Sequence, residues 1–378
     1  MKTDHSLPYD AVVAGYLGMD LTPGFPSTLA AIPLTELLRP GKLIETEGLG
    51  LALGGVVANT GLAMKKFGAR VALMGLVGND LLGNLVLTKL KAQGISSGIR
   101  RTDRAGTAYG IVLAPPGIDR MFLEDPGCNG VMTSDDIDYQ TVVQSRLFHF
   151  GYPTLMKSLY RDDGAELRKL FGRVRALGVA TSLDMTLPHP DSPAGKTDWL
   201  SILAAVLPLV DIFAPSLEEL LFLMEPKQYA AILSGVNGGD IVDKVPQDLC
   251  ERLGKKILDL GVSILMIKAG HRGAYIRTGD ITRLNAATAL RLAGDTWNNR
   301  AIRVPAFPAD PARIKNACGA GDCAVAGFLT AILNGANLQA AGYYAMLAGR
   351  DNLYGVDSLS GLSAWPHMTE IMKEIMAL

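Results

Sequence analysis

One segment near the carboxyl end of the sequence combines glycines with a single carboxylate at the start of a helical pattern. It reads Lys315-Asn316-Ala317-Cys318-Gly319-Ala320-Gly321-Asp322, and the helical pattern continues from Cys323 to Leu333. Glycine at a helix start leaves backbone amides open, and the helix dipole adds positive potential, so an anion such as a phosphoryl group binds there. Asp322 fits such a site if it accepts a proton from an attacking hydroxyl group. Considered alone, the segment is equally compatible with an ordinary polar residue in a first helical turn.

A second glycine segment lies near the amino end, where Gly54-Gly55-Val56-Val57-Ala58-Asn59 follows a β-like run and opens a helical pattern that ends at Gly68. Open amides and the Asn59 side chain, which falls in the first helical turn, can hold the hydroxyl groups of a small molecule. Considered alone, this segment is more typical of a simple strand-to-helix turn.

Two familiar phosphate-binding patterns are incomplete. The glycines of Gly48 to Gly54 have the spacing GxGxxxG rather than GxGxxG, and no acidic residue ends a strand at the expected offset, which argues against a dinucleotide-dependent oxidoreductase. Gly195-Lys196-Thr197 lacks the first glycine of a P-loop, because Pro190 stands there. Any nucleotide must therefore be held in another way.

The elements that position these residues alternate between short β-rich runs and helical stretches, a pattern typical of βαβ units around a mainly parallel sheet. Polar residues follow three of the strands, namely Asp184, Ser216 and Lys268, and open α/β sheets bind ligands beyond the carboxyl ends of their strands. The turn from Lys268 to Gly273 is by itself more typical of a simple hairpin. The predicted strands are Ala11–Ala14, Arg70–Leu76, Leu147–Phe150, Val179–Leu183, Leu209–Phe213 and Val262–Ile267.

Two stretches interrupt this alternation, at about 21–53 and 104–130. In the second, Ala108–Leu113 and Arg120–Leu123 are predicted strands joined by the turn Pro115-Pro116-Gly117. Both stretches are expected to add strands to a small separate sheet.

The composition favours a small-molecule partner. A net charge of -1, from 36 basic and 37 acidic residues, provides no electrostatic footprint for nucleic acid or an anionic membrane. The four cysteines form no CxxC pair, so we expect reduced thiols in a cytoplasmic protein, without a zinc site or a disulfide framework. We expect no export signal and no membrane span.

In their order along nearly the whole chain, these segments resemble the ribokinase-like sugar kinases, also called the PfkB carbohydrate kinase family. The early motif of that family is similar to Gly54-Gly55, Asn59, Gly68 and the run Val77-Gly78-Asn79-Asp80. Its late motif, DTxGAGD, is similar to the run from Asn316 to Asp322. Two moderately specific motifs in the right order support the resemblance far better than either alone.

The resemblance implies one ribokinase-like domain over residues 1–378, a three-layer α/β/α fold with a mainly parallel central sheet and a small β lid. It also implies an ATP-dependent kinase that uses Mg²⁺ and phosphorylates a hydroxyl of a sugar or sugar-like molecule. The implied general base is Asp322, and the implied anion hole is formed by Gly319, Ala320 and Gly321. The implied acceptor-binding residues are Asp20, Gly54, Gly55 and Asn59, and the implied ATP contacts are Ser216, Lys268, Gly270, Gly273 and Asn352.

The sequence departs from the family pattern at several of these positions. Asn316 and Ala317 replace the usual Asp and Thr, and because that Asp often helps to bind a monovalent cation, we do not expect activation by potassium. Ser216 replaces the Asn of the family's NxxE motif. The Glu of that motif is retained as Glu219, and the resemblance implies that it holds magnesium through water. Lys268 stands where many members have Thr, which adds a positive charge near the phosphates.

Three interpretations of function remain open at this point. In the first interpretation, the protein is a kinase whose acceptor is a sugar. In the second, the acceptor is a nucleoside, and an aromatic wall built by Tyr109 and Phe122 would favour this alternative. A phosphorylated sugar would require basic residues beside the site, for which Arg101, Arg104 and Arg120 are the candidates. The third interpretation is a sugar-binding regulator without catalysis. The resemblance also suggests a homodimer that forms through the lid.

Overall fold

The protein has two β-sheets, and the computed structural model describes residues 7–30, 32–117, 121–236, 240–246 and 248–376. Nine strands form a large sheet in the order β13-β12-β11-β10-β9-β8-β1-β4-β5, and four form a small sheet in the order β3-β2-β6-β7. The strands are β1 (Tyr9–Gly15), β2 (Gly18–Pro23), β3 (Leu49–Gly54), β4 (Val71–Gly78), β5 (Ile99–Thr102), β6 (Tyr109–Leu113), β7 (Met121–Asp125), β8 (Ser145–Gly151), β9 (Ala180–Asp184), β10 (Ile212–Phe213), β11 (Ile264–Lys268), β12 (Ala274–Thr278) and β13 (Ala301–Val304).

The large sheet is parallel from β5 to β11, and β12 and β13 each run antiparallel to the preceding strand. All six predicted strands are present in it. The fifth is shorter than predicted, because residues Leu207–Leu209 form a 3-10 turn and only Ile212–Phe213 pair with neighbours. Pro208 in that turn has no amide hydrogen to give to a ladder, which accounts for the late start of the strand.

Helices cover both faces of the large sheet. The helices are α1 (Leu34–Leu37), α2 (Val56–Lys66), α3 (Leu81–Ala92), α4 (Tyr139–Val142), α5 (Lys157–Ala176), α6 (Trp199–Val206), α7 (Leu217–Met224), α8 (Pro226–Leu233), α9 (Leu249–Asp259), α10 (Thr282–Ala287), α11 (Gly294–Trp297), α12 (Ala320–Leu333), α13 (Leu338–Asn352) and α14 (Trp365–Met376). Within the described residues, no helix has the length and apolarity needed to cross a membrane.

Two close contacts place helices on opposite faces of the sheet. Gly254 of α9 lies against Tyr275, whereas Gly342 of α13 lies against Ile276, the next residue of β12. Successive residues of a strand project to opposite faces, so α9 and α13 sandwich the sheet between them. This arrangement confirms the predicted three-layer α/β/α fold.

The small sheet, which we call the lid, draws its strands from the two stretches that interrupt the alternation. β2 pairs with β3 and β6, and β6 pairs with β7. β2 begins at Gly18, slightly before the predicted stretch. Of the second predicted hairpin, β6 and residues from Met121 onward are described, whereas Arg120 lies outside the described residues.

The strand order reverses between β1 and β8, which end side by side at Gly15 and Gly151. A Cβ at Gly15 would lie 2.5 Å from the Gly151 carbonyl oxygen, and a Cβ at Gly151 would lie 2.6 Å from a Val56 methyl group. Both glycines therefore let the start of α2 approach the strand ends. Such a reversal opens a crevice at the carboxyl edge of the sheet, where α/β proteins bind ligands.

Candidate functional site

A cavity of about 320 Å³ lies at this carboxyl edge. The residues that line it come from the ends of neighbouring parallel strands and from the start of α12. They are Tyr152, Asp184, Met185, Ser216, Glu219, Lys268, Gly270, Gly319, Gly321 and Asp322. The structure thus brings the three polar strand-end residues together with the late glycine motif.

Asp322 lies in the first turn of α12 and is 4% exposed. Gly319 precedes this helix in a left-handed conformation with φ of 79°, and no side chain caps the helix. Instead, the Asp322 carboxylate receives hydrogen bonds from other elements. Tyr152 Oη donates to Oδ2 over 2.7 Å, Asn59 Nδ2 donates to Oδ2 over 3.0 Å, and Thr60 Oγ1 donates to Oδ1 over 3.3 Å. The carboxylate is therefore held rigidly without being used as a helix cap.

The glycines beside Asp322 have different surroundings. Gly321 faces the cavity, where a Cβ would lie 3.7 Å from Lys268 Nζ, while a Cβ at Gly319 would lie 2.8 Å from Ser358 Cβ. The Ala320 amide donates to the Ala317 carbonyl over 3.3 Å. The amino end of α12 thus presents its dipole and the Gly321 backbone to the cavity, next to the ammonium group of Lys268.

Lys268 forms a buried ion pair with Asp184. Its Nζ lies 2.7 Å from Oδ1 and 2.9 Å from Oδ2 of the carboxylate. Burial opposes the positive charge, but the carboxylates of Asp184, Glu219 and Asp322 outweigh it and raise the pKa of Lys268. Burial raises the pKa of Asp184 to about 7, although the positive charge of Lys268 acts to lower it. Burial also raises the pKa of Glu219. One ammonium group therefore compensates three carboxylates in this cavity.

Ser216 and Glu219 form a capping box at the start of α7. Ser216 Oγ accepts from the Glu219 amide over 3.1 Å, and Glu219 Oε2 accepts from the Ser216 amide over 2.7 Å. This reciprocal arrangement stabilises the helix start by itself. Both residues nevertheless line the cavity.

The residues expected to bind the acceptor lie around the junction of the lid and α2. A Cβ at Gly54 would lie 2.6 Å from Asp20 Oδ1, and a Cβ at Gly55, where φ is 85°, would lie 2.5 Å from the Tyr16 carbonyl oxygen. Asn59 is tied to Asp322 as described above. Burial, together with the charges of Glu124 and Asp322, raises the pKa of Asp20 to about 6. The early motif and the late motif therefore meet at one place.

The remaining candidates lie elsewhere. Gly273 packs against β13, where a Cβ would lie 2.0 Å from the Val304 carbonyl oxygen, and its φ is 85°, so packing and backbone conformation explain this glycine. Asn352 is buried and does not line the cavity, but its Nδ2 donates to the carbonyls of Cys318 and Ser358 over 3.2 and 3.0 Å, directly behind Gly319.

The basic candidates for a phosphorylated acceptor have partners of their own. Arg101 Nη2 donates to Asn84 Oδ1 over 2.6 Å, and Arg104 Nη2 lies 2.7 Å from Asp136 Oδ1. Arg120 lies outside the described residues. Neither of the two described arginines lines the cavity.

Two tyrosines at the strand reversal were missed by sequence reasoning. Tyr152 follows β8 and Tyr16 follows β1, and their rings lie 6.3 Å apart. Burial, with the charges of Asp322 and Asp184, raises the pKa of Tyr152 well above its usual range, so it remains a hydrogen-bond donor. The sequence signal for these tyrosines is that each directly follows a strand ending in glycine. This signal indicates a shared site only once the two strands are known to be neighbours in the sheet.

Comparison with known families agrees with this geometry. The model of the pfkB family carbohydrate kinases matches residues 27–350. The chain belongs to this family. The matched residues of the pfkB chain include the early motif at Gly54-Gly55 and Asn59, the polar strand-end residues and the late motif that ends at Asp322.

Curated relatives of this pfkB chain include fructokinases and a sugar kinase. It is 26% identical to probable fructokinase-4 of Arabidopsis thaliana over 48% of this chain and 56% of the relative. It is 22% identical to an uncharacterized sugar kinase of Archaeoglobus fulgidus over 74% of this chain and 90% of that protein. The alignments with the first fructokinase relatives span only about half of their length, 56% and 54%.

Solved structures share the fold. A ribokinase of Arabidopsis thaliana complexed with ribose and ATP has a TM-score of 0.70 at 18% identity, with 97% of this chain and 99% of that chain covered. A fructokinase of Xylella fastidiosa with bound ATP has a TM-score of 0.69 at 16% identity and the same coverage. A putative ribokinase II of E. coli in complex with ATP and Mg²⁺ has a TM-score of 0.67 at 19% identity, again with the same coverage. The pfkB chain therefore has the ribokinase-like fold predicted from its motifs.

Proposed function

We propose that this chain is an ATP-dependent kinase that phosphorylates a hydroxyl group of a sugar or sugar-like small molecule, acting as one domain. The observation that carries this proposal is the hydrogen bonding of Asp322. Tyr152 and Asn59 both donate to Oδ2, so Oδ1, with only the longer contact from Thr60, keeps lone-pair capacity for a substrate proton.

The proposed reaction is a single phosphoryl transfer. The acceptor, held by Asp20, the Gly54-Gly55 amides and Asn59, loses its hydroxyl proton to Asp322. Its oxygen forms a bond to the γ-phosphorus of ATP, while the bond from that phosphorus to the bridging oxygen breaks and releases ADP. The Gly319-Ala320-Gly321 segment and the α12 dipole stabilise the negative charge on the phosphoryl oxygens.

The nucleotide side of the site carries the proposed ATP contacts Ser216, Lys268 and Gly270, which line the cavity. Among the described residues, no cluster of three or more acidic, histidine or cysteine side chains is arranged to hold a metal ion. Glu219 and Asp184 offer carboxylate oxygens in the same cavity, which fits Mg²⁺ bound mainly by phosphates and water. Bound Mg²⁺ would neutralise charge on the phosphates, and Glu219 would hold it through water.

The lid favours a sugar over a nucleoside. Phe122 pairs with Val112 and Tyr109 pairs with Asp125, so the two aromatic residues project from opposite faces of the lid. They cannot together form the stacking wall that a nucleoside base would use. Phe122 alone shares the face of Asp20.

An ADP-release assay over pentoses, hexoses, their phosphates and nucleosides tests the proposal. We expect Asp322→Asn to lower turnover by about 10²- to 10⁴-fold without loss of folding, because a positioned general base contributes that much. Asp259→Asn, at an exposed position of α9, is the matched control. Sugar binding without ADP release by the wild type would instead identify a binding regulator.

We also propose a homodimer that forms through the outer face of the lid. Leu51, Leu21, Ile111 and Leu123 lie in one row across the four strands, and Leu51 and Leu123 are 38% and 56% exposed. Exposed apolar patches of this kind commonly mark protein interfaces. Light scattering should give the mass of a dimer for the wild type and of a monomer for Leu51→Glu, and a monomeric wild type would contradict the proposal.

The compartment is a proposal of the same kind. All four cysteines carry free thiols. Free thiols are typical of reducing compartments, so we propose a cytoplasmic location.

A further inference from the structure

A row of four paired residues crosses the inner face of the lid. Ala52 pairs with Asp20, Asp20 with Gly110, and Gly110 with Glu124. Residues in register project to the same face, so the Asp20 and Glu124 carboxyl groups flank Gly110. Their Cα atoms are two strand spacings apart, about 10 Å. The absence of a side chain at Gly110 leaves a slot between them, and a Cβ there would lie 3.4 Å from Asp20 Oδ1.

Tyr16 contributes a third oxygen to this slot. It is 4% exposed, and its hydroxyl group lies beside Glu124 but outside hydrogen-bonding geometry, so it has no partner among the described residues. Buried hydroxyl groups are normally hydrogen bonded, so the Tyr16 hydroxyl group is available to a molecule bound in the slot. Besides this Tyr16 hydroxyl group, no described residue approaches the Asp20 and Glu124 carboxyl groups as a hydrogen-bond donor.

The slot is negatively charged and lacks a described counterion. Burial, Glu124 and Asp322 raise the pKa of Asp20, and desolvation raises the pKa of Glu124 although its side chain remains exposed. No arginine or lysine of the described chain contributes to either shift. The described arginines nearest in sequence to the lid strands, Arg101 and Arg104, have partners elsewhere. A phosphate or carboxylate group placed here would meet like charge, whereas hydroxyl and ammonium groups would find acceptors.

We propose that Glu124, with Asp20 and Tyr16, forms an acceptor subsite that binds the donor-rich part of the acceptor and rejects phosphorylated or carboxylated acceptors. This inference rests on the proposed kinase function, because the subsite adjoins Asp322. Glu124 is then a specificity-determining residue of the lid. Because it is exposed to solvent, its effect is screened, and we expect discrimination of about tenfold rather than complete exclusion.

Equilibrium binding measures this preference independently of catalysis. The probes are D-fructose with D-fructose 6-phosphate, D-ribose with D-ribose 5-phosphate, and D-glucosamine as a cationic sugar, each titrated calorimetrically into the full chain. We expect the wild type to bind the uncharged or cationic sugars about tenfold more tightly than the esters. Glu124→Gln should reduce this ratio to about threefold or less. Glu47→Gln, the same change at an exposed residue just before β3, should retain it.

ADP release on the same probes separates the two proposals. Selective binding that depends on Glu124 but without ADP release would overturn the kinase function and support the subsite. ADP release would support the kinase function but overturn the subsite in either of two cases. The wild type would prefer a phosphate ester, or Glu124→Gln would leave the preference for uncharged or cationic sugars over esters unchanged. Neither binding nor ADP release with any probe would count against both.

Discussion

The hydroxyl group of Tyr152 donates a 2.7 Å hydrogen bond to Oδ2 of Asp322, and the Tyr152 backbone is left-handed with φ of 68°. Non-glycine residues in this conformation are strained and occur preferentially at functional sites, where the surrounding structure holds them in place. The strain here places the phenol at the carboxyl edge of the sheet. Two donors thereby reach Oδ2 of Asp322, and Oδ1 receives only the longer contact from Thr60.

Tyr152→Phe should therefore lower kcat about tenfold and leave the acceptor KM nearly unchanged, because it loosens the proposed base without removing it. Tyr160→Phe is the control, since its ring packs on Trp199 and no hydrogen bond of its hydroxyl is observed in the described structure. Steady-state kinetics with the best acceptor measure both values. A raised KM with normal kcat would show that the Tyr152 hydroxyl binds the acceptor instead.

Lys268→Met should destabilise the fold by about 3–5 kcal/mol, because it leaves the Asp184 carboxylate buried without its partner. Adding Asp184→Asn should recover much of this loss, since the carboxylate that pairs directly with Lys268 is then removed as well. Lys256→Met, which breaks the more exposed pair with Glu225, should cost at most about 1 kcal/mol. Urea unfolding of the four proteins measures the differences. Equal losses for the two lysines would contradict the importance of burial.

Acceptor kcat/KM should fall as the pH drops through about 6, because Asp20, with a pKa of about 6, loses on protonation its negative charge and one of its two acceptor oxygens. Glu124→Gln removes a negative neighbour and should move this acid limb to lower pH. A pH profile of kcat/KM for the wild type and for Glu124→Gln measures this shift. Asp322 and Tyr16, the other titratable groups near Asp20, are unchanged in the variant. An identical limb in the two proteins would exclude Asp20 as its source.

Catalysis should not require potassium. Asn316 Nδ2 donates to the Val356 carbonyl over 3.4 Å, and Asn316 Oδ1 accepts from the Cys318 amide over 2.9 Å, so an amide links the late motif to the carboxyl-terminal loop. We expect rates in potassium and in tetramethylammonium salts to agree within about twofold. Asn316→Asp, which replaces the donor with a negative charge, should lower the rate and make it respond to potassium. Strong potassium activation of the wild type would refute this expectation.

Much of this site could be predicted from local sequence. The polar residues Asp184, Ser216 and Lys268 follow predicted strands, whose carboxyl ends face the ligand-binding crevice of an α/β sheet, and they do line one cavity. The S-x-x-E pattern at Ser216 was interpreted as a phosphate-linked motif, although it also encodes the capping box that the structure contains.

The sequence by itself determined the alternation of strands and helices, the two glycine motifs and the candidate base Asp322, because these depend on residues close together in the chain. Only the tertiary structure decided that Tyr152 and Asn59 share one oxygen of Asp322, that Asp184 neutralises Lys268, and that Asp20 and Glu124 flank one slot. Each of these contacts joins distant segments. Strand order and register bring them together, and a register shift of one residue would turn Glu124 to the outer face of the lid.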